Sequence, residues 1–182
     1  SFEAESVAFH EAIPGHHIDR TIAVELKNVP DFQRYTASTA FVEGWGLYSE
    51  QLANEMGLYS NDVQQLGRLG NDAWRACRLV LDTGMHGMGW SRNSAIEFFR
   101  GNSPIEEINA NIETDRYIAW PGQACSYKMG QLTIEQLRKK AEEELGEKFD
   151  IRYFHDEVLC DGGITLPILE NKIDSFIEKF RN

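Results

Sequence analysis

The chain has 182 residues, of which 42% are hydrophobic and 11% aromatic, and it carries a net charge of -11. This composition suits a globular chain with a real core and argues against disorder. The acidic balance disfavours a nucleic-acid partner or a polybasic membrane contact. No stretch approaches the roughly 20 apolar residues of a membrane span. The cysteines Cys77, Cys125 and Cys160 form no C-x-x-C pair, and three cysteines allow at most one bridge. Cys77 and Cys125 lie among apolar residues and read as small core residues.

In chain order the pattern is helical almost throughout. Phe2 to Ile13 carries Phe2, Val7 and Phe9 among good helix formers. Its first residues read as mid-helix and Ser1 is not a start methionine, so residues 1–182 are expected to be a single helical domain from the C-terminal portion of a longer protein. Pro14-Gly15 interrupts the helix, which resumes through Ile18, Ile22 and Leu26 and stops at Pro30. A long helix is predicted over Ser38 to Met56, with Phe41, Trp45, Tyr48, Leu52 and Met56 at three- and four-residue steps and Gly57 as its end. The next begins after Ser60-Asn61-Asp62 and runs to about Thr83, with a predicted buried stripe of Leu66, Leu69, Ala73, Ala76, Cys77 and Val80. Gly84, Gly87 and Gly89 then place His86 in a glycine-rich turn. Shorter helices are predicted over Ser94 to Arg100 and Pro104 to Tyr117, the second opening on S-P-x-E-E. Trp120-Pro121-Gly122 is a break, and Tyr117 and Trp120 read as core residues. Gln123 to Leu145, Asp150 to Leu159 and Leu166 to Phe180 complete the set, although the IRYF stretch also suits an extended segment. The tract KKAEEELGEK reads as a solvated helix face. The fold class is all-α, with about seven to nine helices.

The stretch FHEAIPGHHID, residues 9–19, carries three of the five histidines. In a helical H-E-x-x-H zinc site the histidines lie four apart and share a face. Here Pro14 holds the second histidine's place and the next are His16 and His17. Six residues on an ideal helix put two rings on opposite sides. Pro14 removes a backbone donor and Gly15 tolerates unusual dihedrals, so a kinked helix is expected to swing His16 back toward His10. His17 is on the right side of an ideal helix but about 10 Å along it. The expected metal ligands are His10 with His16, and His17 is the close alternative. Glu11 follows His10 and is placed to take a proton from a metal-bound water. The following long helix offers Glu43 and Glu50, seven apart on one face. Gly44 and Gly46 are unfavourable there, by roughly 1 kcal/mol each relative to alanine, and they allow another helix to come close. Glu43 is therefore the expected third ligand. Glu50 either orients a histidine or is an ordinary surface glutamate.

In order, HEAIPGHH, FVEGWGLYSE, RLVLDTGMHGMGWS, RYIAWPGQACSYKMG and FHDEVLCDGG resemble a bacterial family catalogued as domain of unknown function 885. The resemblance covers essentially the whole chain. Many of the family's proteins are designated lipoproteins, and they are considerably longer than this chain. The family is grouped with zinc metallopeptidases of the glutamate-ligand kind, and its own motif has the PGHH form. The resemblance implies a zincin-like helical domain with Zn as cofactor and a peptide substrate. It also implies a cell-envelope or extracytoplasmic location, with room for a lipid anchor in the longer protein.

Three further motifs carry chemistry. His86 could donate to a tetrahedral oxyanion, or cap a helix C-terminus. By analogy with helical zinc peptidases, Tyr127 is the expected oxyanion donor. Arg116 could bind a substrate carboxylate bidentately, or pair with an acid on its own helix. His155 reads as a core or capping residue rather than a site residue. The leading functional expectation is a zinc-dependent peptidase, and the alternative is a non-catalytic binding domain on the same scaffold. A di-iron bundle needs paired E-x-x-H motifs, and the chain has none.

Overall fold

A computed structural model describes residues 2–181. Within them the chain forms ten α-helices and one 3-10 turn, with no strand, as the all-α expectation requires. The helices are α1 Ala4–Glu11, α2 His16–Glu25, α3 Asp31–Tyr35, α4 Thr39–Glu55, α5 Asp62–Met88, α6 Arg92–Asn102, α7 Glu107–Ala119, α8 Cys125–Leu145, α9 Ile151–Leu159 and α10 Leu166–Arg181, with the turn Gly146–Lys148 between α8 and α9. The count passes nine because the five-residue α3 was not visible in the sequence pattern. IRYF lies in α9, where the Asp150 side chain accepts from the Arg152 N–H and Phe154 and Val158 face inward one turn apart. No helix among the described residues is long and apolar enough to cross a membrane.

The main core lies where α4 and α8 run side by side. Phe41, Trp45, Tyr48 and Leu52 from α4 meet Ile134, Leu137 and Ala141 from α8, with Phe154 of α9 and Leu169, Ile173 and Ile177 of α10 completing it. The two backbones approach without side chains between them. A Cβ on Gly44 would lie 2.5 Å from the Gly130 Cα, and one on Gly130 would fall on the Ala40 carbonyl oxygen. A second core joins α5, α6 and α7 through Leu81, Phe99, Ala110 and Tyr117. Cys77 is buried there, Cys125 is half-buried, Cys160 is exposed, and all three are free thiols.

Two helix faces differ from expectation. On α5, Leu66, Leu69 and Val80 point outward, and the inward positions include Asn71, Arg78, Leu81 and Asp82. Before α1 Phe2 is exposed, and on α1 Val7 is exposed while Ser6 and His10 are buried. Apolar spacing misassigns both faces because their inward positions carry polar groups, among them Asp82 accepting from the Gly122 N–H, Arg78 paired with Glu113 and His10 with Glu50. Trp120 is 60% exposed rather than core. The helix α5 also continues through Gly84 and Gly87 and stops only at Gly89, whose φ of 70° is left-handed. Gly84 is small for a packing reason, since a Cβ there would lie 2.7 Å from the Trp90 ring. His155 packs edge-on against Trp45 and bonds the Tyr48 hydroxyl at 2.7 Å. Burial, helped by the Arg138 cation, pushes it down to about 4.

The close approach gives a direct test. Gly44→Ala should destabilise the fold by about 1–3 kcal/mol, because two backbones must separate. Gly87→Ala meets nothing within 4 Å and should be neutral or slightly stabilising. Thermal unfolding of both variants checks the contrast, and equal melting temperatures would remove the packing argument.

Candidate metal centre

The stretch HEAIPGHH folds as two helices and a turn, not as one kinked helix. The helix α1 ends at Glu11 and α2 starts at His16. Proline has no N–H to continue the ladder. Gly15 lies so close under α1 that a Cβ would fall on the His10 carbonyl oxygen. The turn is fixed to α4 by Trp45, whose indole N–H donates to the Pro14 carbonyl at 3.0 Å. Reversal of the chain brings His16 over His10, with ring centroids 4.6 Å apart in an edge-on arrangement.

The facing side of α4 supplies the carboxylates. Glu43 Oε2 lies 3.3 Å from His10 Nε2 and 3.5 Å from His16 Nε2. Glu43 Oε2 is therefore the point on which the two ring nitrogens converge. The other His10 nitrogen, Nδ1, bonds Glu50 Oε1 at 2.8 Å. Glu50 is 3% exposed. Its second oxygen accepts from the Ser6 hydroxyl, and Arg75 Nη2 stands 3.7 Å from the first. Room for the His10 ring depends on Gly46, where a Cβ would lie 2.6 Å from its Cε1.

The cluster sets its own charge state. Burial would lower the His10 pKa, but bonds to Glu43 and Glu50 outweigh it and raise the value to about 9. Burial would likewise raise Glu43, but the two histidines hold it down to about 2. At neutral pH His10 is thus a cation donating one N–H to each carboxylate. Its contribution to stability is full below pH 6.5 and is lost as pH rises through 9. That of Glu43 is full above pH 4.5 and is lost as pH falls through 2.

The remaining candidates divide. Glu11 is exposed, yet one of its carboxylate oxygens lies within 4.8 Å of a ring nitrogen of both His10 and His16. His17 is exposed and outside the convergence, because the turn has changed the register on which its alternative role rested. His86 lies on the last turn of α5, not in a loop, and its Nε2–H donates to the Tyr117 carbonyl at 3.0 Å, near the end of α7. Arg116 is engaged with an acid on its own helix, donating from Nε and Nη2 to Glu113, and from Nη1 to Gln123 at 2.7 Å. Tyr127 lies with its ring 4.1 Å from the Arg78 guanidinium, and its hydroxyl has a long 3.5 Å contact from Gln123. Arg78 is three residues beyond Arg75 on α5, so this group lies about one turn along from the Glu50 end of the cluster.

Sequence reasoning missed Ser6, Asp19 and Arg75. Asp19, three residues after His16, is buried, and burial raises its pKa. Its i,i+3 spacing from His16 was a usable signal. Arg75 had no such signal, because it reaches the cluster only through the packing of α5 against α1.

In the metal-free protein the His10 ring proton signals should titrate near pH 9 by NMR. Glu50→Gln should bring that value down, because a charged partner is lost while burial stays. Gly46→Ala should displace the ring and abolish the high value. A wild-type midpoint at 6.5 or below would contradict the buried ion cluster.

The family described as bacterial protein of unknown function, DUF885, matches residues 1–173. No curated protein matches the chain. The crystal structure of "the putative lipoprotein" from Colwellia psychrerythraea is 40% identical with a TM-score of 0.95, over 98% of this chain and 31% of that one. A "putative lipoprotein of unknown function" from Shewanella oneidensis shares the fold, at 24% identity and a TM-score of 0.85, over 92% of this chain and 31% of that one. The chain thus spans under a third of the length of either protein. With its family match running from Ser1 through Ile173, this chain belongs to the DUF885 family of bacterial proteins.

Proposed function

We propose that this chain carries the metal centre of a zinc-dependent peptidase, with His10, His16 and Glu43 as ligands. The observation that carries the reading is the convergence of His10 Nε2, His16 Nε2 and Glu43 Oε2, with His10 Nδ1 held by a buried carboxylate. A tetrahedral ion with bonds of about 2.0–2.1 Å separates its ligand atoms by roughly 3.4 Å. The two separations between Glu43 Oε2 and the ring nitrogens are 3.3 and 3.5 Å. Two imidazoles and one carboxylate favour zinc over magnesium or calcium. Three protein ligands leave a position for water or substrate, as catalytic sites do. Glu50 fixes the His10 tautomer so that Nε2 faces the ion.

When bound, zinc would acidify a water and polarise a carbonyl. Glu11 is the base that accepts the proton of the attacking water, since its carboxylate is exposed beside both histidines. Tyr127 is the better oxyanion donor of the two candidates, because His86 is engaged with a backbone carbonyl. Arg116 keeps a substrate role only by giving up Glu113. The substrate is a peptide, and its binding walls extend into the longer protein. The lipoprotein designation of the similar structures supports an extracytoplasmic place, with a lipid anchor elsewhere in the longer protein.

Elemental mass spectrometry of the purified protein should find about one zinc per chain, lost on replacing His10 by Ala. Glu11→Gln should keep the metal and lower peptide hydrolysis by roughly 10²–10⁴-fold. Absence of zinc after incubation with the ion would refute the centre. Full turnover in Glu11→Gln would refute only the assigned base.

A further inference from the structure

Glu50 explains how one ligand histidine is held. His16 has no equivalent bond, and it presents a specific deficit. Its Nδ1 is buried and has no hydrogen-bond partner. If Nε2 serves as a ligand through its lone pair, the ring proton must sit on Nδ1. A buried N–H without an acceptor is unfavourable.

A matching acceptor lies on the same helix. Asp19 Oδ2 is the one carboxylate oxygen among the described residues that is buried without a hydrogen bond. Its side chain is 0% exposed. Asp19 follows His16 by three residues on α2, so the two share a face. Its other oxygen, Oδ1, is already occupied, accepting from Arg20 Nε at 3.0 Å. An orphaned donor and an orphaned acceptor thus lie one turn apart beside the convergence point. We infer that Asp19 is the positioning residue for His16, its Oδ2 accepting the Nδ1–H, directly or through one water, when His16 Nε2 binds the ion.

The inference rests on the zinc reading but goes beyond it. It gives the centre two carboxylate-held histidines, with Glu50 behind His10 and Asp19 behind His16. Each holder comes from an element other than the turn that joins the histidines. A competing use of Oδ2 is a forked pair with Arg20, whose Nη2 is also buried and unpartnered.

The test compares wild type, Asp19→Asn and Asp19→Ala by chelator competition for zinc, by melting of the metal-free protein, and by NMR of the His16 ring. Both variants should lose roughly 10–100-fold in zinc affinity, the range for loss of such a partner. The metal-free melting temperature of Asp19→Asn should be unchanged or higher, because the amide still accepts from Arg20 and a buried charge is gone. The zinc-bound wild type should show an exchange-protected His16 Nδ1–H signal that Asp19→Asn loses. Wild-type zinc affinity in both variants would overturn the role of Asp19 alone and favour the Arg20 fork. A wild type that binds no zinc would overturn the metal reading and this inference together.

Discussion

The helix α4 must meet two neighbours with no side chain in the way, and the rest of the structure follows from that. At Gly44 the backbone of α8 comes in at Gly130. At Gly46 the ring of His10 occupies the space of a Cβ. The two glycines are two residues apart, so they open different sides of the same helix. One side fixes the core through Trp45, Tyr48 and Leu52. The other presents Glu43 and Glu50 to α1 and α2. Glycine lowers helix propensity, and the cost is tolerated here because tertiary packing, rather than propensity, holds a buried helix.

The carboxylate and imidazole groups between α1, α2 and α4 are mutually dependent. Taking Glu50 out of water is unfavourable unless its oxygens are bonded. Ser6, His10 and the nearby Arg75 provide those partners. His10 in turn stays charged in a buried place only because two carboxylates face it. The imidazolium lies between two carboxylates, so the cluster is organised around positive charge. An inward face built this way cannot also be apolar, and for that reason α1 turns Val7 outward.

A second polar group lies along α5. Arg78 donates to the Tyr117 hydroxyl at 2.9 Å and to Glu113 at 3.2 Å, beneath the ring of Tyr127. This network explains why the inward face of α5 reads as polar in a helix whose apolar residues seemed to mark a stripe. It also engages Arg116, in the same-helix ion pair that its sequence offered as one reading, and His86 through the Tyr117 carbonyl.

Local signals in the sequence determined most of the helices. Capping residues such as Asn61 and Asp150, the break at Pro14-Gly15 and the left-handed Gly57 act over a few residues, so they are legible without the fold. Two histidines, Glu11 and a downstream glutamate were legible as a set because metal chemistry restricts the residue types. The tertiary structure alone decided the geometry. It placed His16 rather than His17 over His10, because the reversal at Pro14-Gly15 is a turn whose path depends on Trp45. It brought Arg75 to Glu50 across a large sequence distance. It put Asn71, Arg78 and Asp82 of α5 inside and Leu66 and Leu69 outside. Periodicity reports which residues share a face, but partners from distant helices decide whether a polar face can be buried.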